Sequence, residues 1–122
     1  MRPAVLLVGL VLLLSGCTAD QPTTEPARRG RTVAEAKGCF SCHSVDGSQS
    51  VAPSWKGLFG SKVQLTNGKT VVADVPYLRE SMLEPTAKTV EGYPEGLMET
   101  VIKPNSLTDD EVEALVAYIQ SL

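Results

Sequence analysis

Gly38-Cys39-Phe40-Ser41-Cys42-His43-Ser44 carries two of the chain's three cysteines and its only histidine. The Cys-x-x-Cys-His pattern has a physical purpose. Two thiols three residues apart near a helix end can each add to one vinyl group of a haem. The next residue then sets an imidazole nitrogen under the iron. Two other uses of such a pair compete. A zinc site would need two further ligands, yet no Cys or His follows His43. A thioredoxin-like redox pair would want a strand–helix context and has no use for the histidine. The motif therefore predicts one covalently attached haem c, with Cys39 and Cys42 as its thioether donors and His43 as an axial iron ligand.

With one histidine in the chain, a haem held by two histidines is excluded within one molecule. Met1 would leave with the leader described below. Met82 and Met98 remain as thioether donors, beside an open or lysine-filled site. Met82 falls in a helical stretch among core residues. Met98 follows Tyr93-Pro94-Glu95-Gly96-Leu97, an irregular segment able to swing a side chain toward iron. Met98 is the assigned second axial ligand. A neutral thioether favours ferrous iron relative to imidazole, so the pair raises the potential.

Helical signals bracket the motif. Thr32-Val33-Ala34-Glu35 matches a capping box and predicts a short helix from about Val33 into Cys39. Thr108-Asp109-Asp110-Glu111 is a second capping box, with Leu107 and Val112 placed as its hydrophobic staple. Val112, Leu115, Val116, Ile119 and Leu122 then recur at helical spacing to the C-terminus. Between these helices, the run from Val63 to Val72 alternates around Asn67-Gly68, a strong hairpin signal. Asp74 can cap a helix through about Glu84, with Pro76 in its first turn and Pro85 ending it. Tyr77, Leu78 and Met82 would share one face of that helix.

Around these positions the chain resembles the class I cytochromes c, and most nearly the cytochrome c domain fused to subunit II of some bacterial haem-copper oxidases. The resemblance spans about Thr32 to Leu122. It rests on Gly38-Cys39-x-x-Cys42-His43-Ser44 and on Pro53-Ser54-Trp55-Lys56-Gly57-Leu58-Phe59-Gly60. Asp74-x-x-Tyr77-Leu78-Arg79-Glu80-Ser81, Gly92-Tyr93-Pro94 with a nearby Met, and the capped last helix complete it. It implies a mainly α, cytochrome c-like fold around one covalent haem, with a small β-hairpin insertion. It also implies that the Pro53 carbonyl accepts a hydrogen bond from His43, which orients the ring and makes it more electron-rich. Trp55, Leu58, Phe59, Tyr77, Leu78 and Tyr93 would wall the haem pocket, with Trp55 a candidate partner for a propionate. Two positions depart from the family pattern: Ala52 stands where Gly usually precedes the Pro, and Glu99 where Pro usually follows the axial Met.

Upstream of the motif the chain carries an address. Arg2 precedes an eleven-residue apolar run, Ala4 to Leu14, too short for a stable membrane span but suited to a secretory leader. Leu14-Ser15-Gly16-Cys17 resembles a bacterial lipobox. Residues 1–16 are thus expected to be a signal peptide and Cys17 a lipidated residue. Residues 17–30, rich in Pro and Thr, form a flexible tether, and residues 31–122 form the folded domain. Each cysteine then has a covalent use of its own, and no disulfide is expected.

The domain is small enough that a large buried cofactor would supply much of its apolar contact. Six aromatic residues leave room for one. Cleavage before Cys17 removes Arg2, leaving ten basic against fourteen acidic residues, which argues against non-specific nucleic-acid binding. Acidic residues gather late and lysines earlier, so a dipolar molecule is expected. The expected function is electron transfer, not catalysis. The chain would be a monomer or transient partner, anchored in the cell membrane and facing the periplasm or extracytoplasmic side. It would take electrons from a quinol-oxidising complex or a dehydrogenase and pass them to a terminal oxidase. The competing readings are a haem subunit of a dehydrogenase complex and a five-coordinate haem sensor or enzyme.

Overall fold

The computed structural model describes residues 22–122; the leader, Cys17 and the tether as far as residue 21 lie outside the described residues. The described chain runs α1 (Glu25–Ala36), β1 (Lys62–Gln64), β2 (Thr70–Val72), α2 (Val75–Leu83) and α3 (Asp109–Gln120). It is mainly helical with one small antiparallel hairpin, the architecture that the resemblance implies. Among the described residues no helix is long and apolar enough to cross a membrane.

α1 begins eight residues before the expected Val33 and ends short of Cys39. Thr24, not Thr32, is the cap: its hydroxyl accepts from the Ala27 N–H at 3.4 Å, with Pro26 in the first turn. Thr32 sits mid-helix and donates its hydroxyl to the Arg28 carbonyl. Residues 25–30, expected to belong to the tether, are the first half of this helix. The reason is a stripe of small residues. Ala27, Gly30 and Ala34 recur at three- and four-residue spacing and are buried. A Cβ on Gly30 would lie 1.9 Å from the Ala114 carbonyl oxygen and 2.7 Å from the Tyr118 Cβ. The α1 backbone therefore rests directly on α3 at this crossing.

α3 starts as its sequence predicts. The Thr108 hydroxyl accepts from the Glu111 N–H, and the Glu111 carboxylate accepts from the Thr108 N–H. Leu107 and Val112 are both buried in the main core. The helix stops at Gln120, two residues before the chain ends. Its buried set is wider than the predicted stripe, because Ala114 and Tyr118 are covered by α1 as well. The acidic residues at its start do not form a free negative pole. Asp110 pairs with Arg29, Glu111 with Lys37, and Asp109 and Glu113 with Arg79. Such partly exposed pairs add little stability, but they offset the expected dipole.

α2 is capped by Asp74, whose carboxylate accepts from the Tyr77 N–H at 2.9 Å. It buries Leu78 and Met82 and ends before Pro85. In the hairpin, Lys62 pairs with Val72, Val63 with Val71 and Gln64 with Thr70. The Gly68 N–H donates to the Leu65 carbonyl at 2.9 Å, and Gly68 has φ +79°. Asn67 stays at negative φ, so this is a three-residue loop closed by a left-handed glycine. Val63, Leu65 and Ala73 form a small apolar cluster apart from the main core.

Candidate haem site

The site begins where α1 stops. Lys37 ends the helix, and Gly38, at φ +74°, turns the chain into a tight 3-10 turn over Cys39–Ser41. A left-handed residue is needed here, and glycine takes that conformation without steric cost. The Cys42 and His43 N–H groups both donate to the Cys39 carbonyl, at 3.2 and 3.0 Å. This winding turns both thiols and the imidazole toward one cavity. Cys39 and Cys42 are not joined to each other. Burial holds the Cys39 thiol above its ordinary pKa.

His43 is fixed by a second stretch of chain. The Trp55 N–H and the Ser54 hydroxyl both donate to the Ser44 carbonyl, and the Ala52 N–H donates to the Cys42 carbonyl. Residues 52–55 therefore lie along 42–44. The hydrogen bond that the resemblance implies is present: His43 Nδ1 and the Pro53 carbonyl oxygen are 2.7 Å apart. A carbonyl only accepts, so Nδ1 carries the proton and the Nε2 lone pair stays available. Burial pushes the His43 pKa below the usual imidazole range, and the Pro53 bond opposes that only in part. The indole of Trp55, 6 % exposed, stacks on the imidazole with ring centres 5.0 Å apart.

These groups line a mostly apolar cavity of about 450 Å³, a size common for cofactor sites. Cys39, Cys42, His43, Pro53 and Trp55 supply one part of its wall. Leu58, Tyr77, Leu78, Tyr93 and Met98 supply another. Phe59 does not line it. The turn around Gly57 and Gly60, both at positive φ, sends Leu58 inward and leaves Phe59 40 % exposed. Met82 also lines the cavity, though it is 6 % exposed and packed into the main core. Met98 is half-buried and opens a short 3-10 turn, Met98–Thr100.

Sequence reasoning passed over the aromatic support behind His43. Phe40 and Tyr118 both meet Trp55 edge-on, with ring centres 5.8 and 6.1 Å away, and they meet each other at 6.1 Å. Phe40 is one of the two unspecified positions of the motif, and Tyr118 belongs to α3's side facing α1. Neither position has a signature of its own.

The donor set suits a haem. A neutral imidazole with a free nitrogen, two unpaired thiols and a thioether surround one apolar space. Among the described residues no group of three or more His, Cys, Asp and Glu side chains is placed to bind a metal ion, which leaves the zinc reading without ligands. No curated protein matches the chain. The family model for cytochrome c matches residues 27–122. Members of that family hold covalently attached haem c, typically one per domain. The chain belongs to the cytochrome c family, and it is a haem c electron-transfer protein.

Proposed function

We propose that this chain is a membrane-anchored monohaem carrier whose iron is held by His43 and Met98, and that it moves electrons between respiratory complexes, donating to a terminal oxidase. One observation carries the ligand pair: His43, locked by Pro53 with Nε2 free, shares its cavity with the thioether of Met98. Met98 suits the role better than Met82. Met82 belongs to a helix and is already packed in the core, whereas Met98 follows Gly92 and Gly96, both at positive φ. There the backbone can be placed without regard to helix geometry.

When bound, the haem supplies a reversible one-electron couple at its iron. The protein's own groups keep that couple fast. Pro53 and Trp55 hold the imidazole in one orientation, and the apolar wall excludes water, so little rearranges when charge changes. Two ligands from one polypeptide also leave no open position for substrate, which favours transfer over catalysis. Lipid anchoring is supported by Leu14-Ser15-Gly16-Cys17 behind its apolar run. It would hold the domain on the extracytoplasmic face of the cell membrane, within reach of a quinol-oxidising complex or a dehydrogenase as donor.

Absorption spectra of the oxidised holoprotein test the ligand pair. The weak long-wavelength charge-transfer band that marks a thioether on ferric iron is expected in the wild type, lost in Met98→Ala and kept in Met82→Ala. Loss in Met82→Ala alone would move the ligand to α2. Cys17→Ser should shift the protein from membrane to soluble fractions, and a pigment that still pellets with membranes would refute the anchor.

A further inference from the structure

The chain between Leu83 and Met98 contributes no residue to the main apolar core. It is fastened elsewhere. Leu65 and Val90 form an antiparallel bridge just beyond β1. The Thr66 N–H donates to the Thr89 carbonyl at 3.0 Å, and the Glu91 N–H donates to the Gln64 carbonyl at 2.9 Å. Val90 packs on the small cluster of Val63, Leu65 and Ala73. The extended β1 strand thus bonds β2 on one edge and residues 89–91 on the other. From Val90 the chain bends at Gly92 and Gly96, with φ +85° and +71°, and reaches Met98. Just past it, Ile102 is 5 % exposed in the main core, and its N–H donates to the Met98 carbonyl at 2.8 Å. The Met98 segment is a short span tied at both ends, one end to each core.

We infer that the hairpin is a positioning element for the second iron ligand: the backbone bonds from Gln64 and Thr66 to residues 89–91 set how often Met98 lifts from its seat. The inference rests on the assignment of Met98 above. A span held at both ends has few conformations in which its middle can move away. Freeing one end adds many, and local opening rises while the rest of the fold stays intact.

Thr66→Pro tests this with a single lost donor. Thr66 is the second residue of the Leu65–Gly68 turn, a position that suits proline, so the substitution removes the N–H to the Thr89 carbonyl and sets the ring Cδ in its place. Because that N–H was hydrogen-bonded, the stiffer unfolded chain does not make up the loss, and global stability falls as well. In the lifting step residue 66 stays folded, so the rate of lifting reads the lost tie and not the unfolded chain. The readout is the rate at which imidazole binds the ferric holoprotein, since imidazole enters only when Met98 has left. One net hydrogen bond corresponds to about a fivefold faster entry. The thioether band should persist without imidazole, since the fold as a whole remains formed. Val72→Thr, on the exposed outer strand, should leave entry unchanged.

Wild-type entry in Thr66→Pro, or equal acceleration in Val72→Thr, overturns the inference. The two assignments can be told apart. A thioether band that Met98→Ala abolishes, with entry unmoved by Thr66→Pro, sinks the hairpin's role alone. A wild-type spectrum without the band sinks the Met98 assignment and the hairpin's role with it.

Discussion

Gly30→Ala sets two well-known effects against each other. On helix propensity alone, replacing a mid-helix glycine by alanine stabilises by about 1 kcal/mol. The crossing with α3 opposes this. The new Cβ would sit 1.9 Å from the Ala114 carbonyl oxygen and 2.6 Å from its carbon, where real Cβ contacts do not fall below 3.0 Å. The helices would have to part by about 1.1 Å, the difference between 3.0 and 1.9 Å. The new Cβ is fixed by the α1 backbone and its closest partner is α3 backbone, so no side chain can rotate to relieve the contact. Overpacking ordinarily costs ~1–3 kcal/mol, and a clash of a rigid Cβ with backbone belongs at or above the upper end. Packing therefore wins, with a net loss of about 2 kcal/mol. For a domain of this size that is a fall in Tm of about 8–16 °C. Thermal unfolding of the ferric holoprotein, followed by far-UV circular dichroism, measures it. Thr32→Ala is the control: Thr32 is exposed on the same helix, and its replacement should be neutral or slightly stabilising. A Gly30→Ala protein as stable as wild type, or more so, would refute the direct contact between α1 and α3.

Two further outcomes follow from local geometry. Gly38→Ala has room for its methyl group, whose nearest neighbour would be Val101 Cγ1 at 4.0 Å, so its cost is conformational: about 1–2 kcal/mol for a left-handed residue. Gly38→Asn should recover part of that loss, as read by denaturant midpoints of the holoprotein. Glu111 has its pKa held below the usual carboxylate range, first by the Thr108 N–H and then by Lys37. A depressed folded value means its contribution is fully present above the unfolded value of ~4.3 and fades as pH falls through the folded one. Glu111→Gln should therefore lower stability slightly at neutral pH and flatten the acid limb of a stability–pH curve. An unchanged acid limb would argue against the capping box as a charged contact.

The parts of the fold that were legible in the sequence are those written in side chains with one dominant use. Asp74 before Pro76, the second capping box, and the apolar stripe of α3 each specify an element because no other structure employs them so well. The His43–Pro53 bond was legible only through family resemblance, since nothing in the spacing of the two residues requires it. α1 was misjudged for a physical reason. Its buried stripe is Ala27, Gly30 and Ala34, residues that carry little hydrophobic signal, set among arginines and next to a proline. Thr32-Val33-Ala34-Glu35 has the pattern of a capping box, yet Thr32 lies within the helix and Thr24 caps it. What decides is closeness of backbone approach to α3, and that cannot be seen until both helices are placed. Phe59 failed differently. Leu58 and Phe59 are adjacent and both apolar, and only the turn between two left-handed glycines determines which one faces inward.

His43 and Met98, the proposed ligand pair, are supported by different parts of the chain, and this has a consequence for function. His43 stacks on Trp55, Trp55 meets Phe40 and Tyr118, and Tyr118 lies against Gly30 at the helix crossing. The imidazole is thus joined through one unbroken run of contacts to the α1–α3 frame, and it should loosen only when that frame does. The span leading to Met98 is tied to the hairpin by two backbone bonds, each worth about 1 kcal/mol net. Local opening draws on the weakest unit available, so with the proposed ligand pair the Met98 side is the one that yields first. The arrangement would suit a carrier, because the motif side secures the haem covalently while Met98, when seated, keeps the iron closed to substrate.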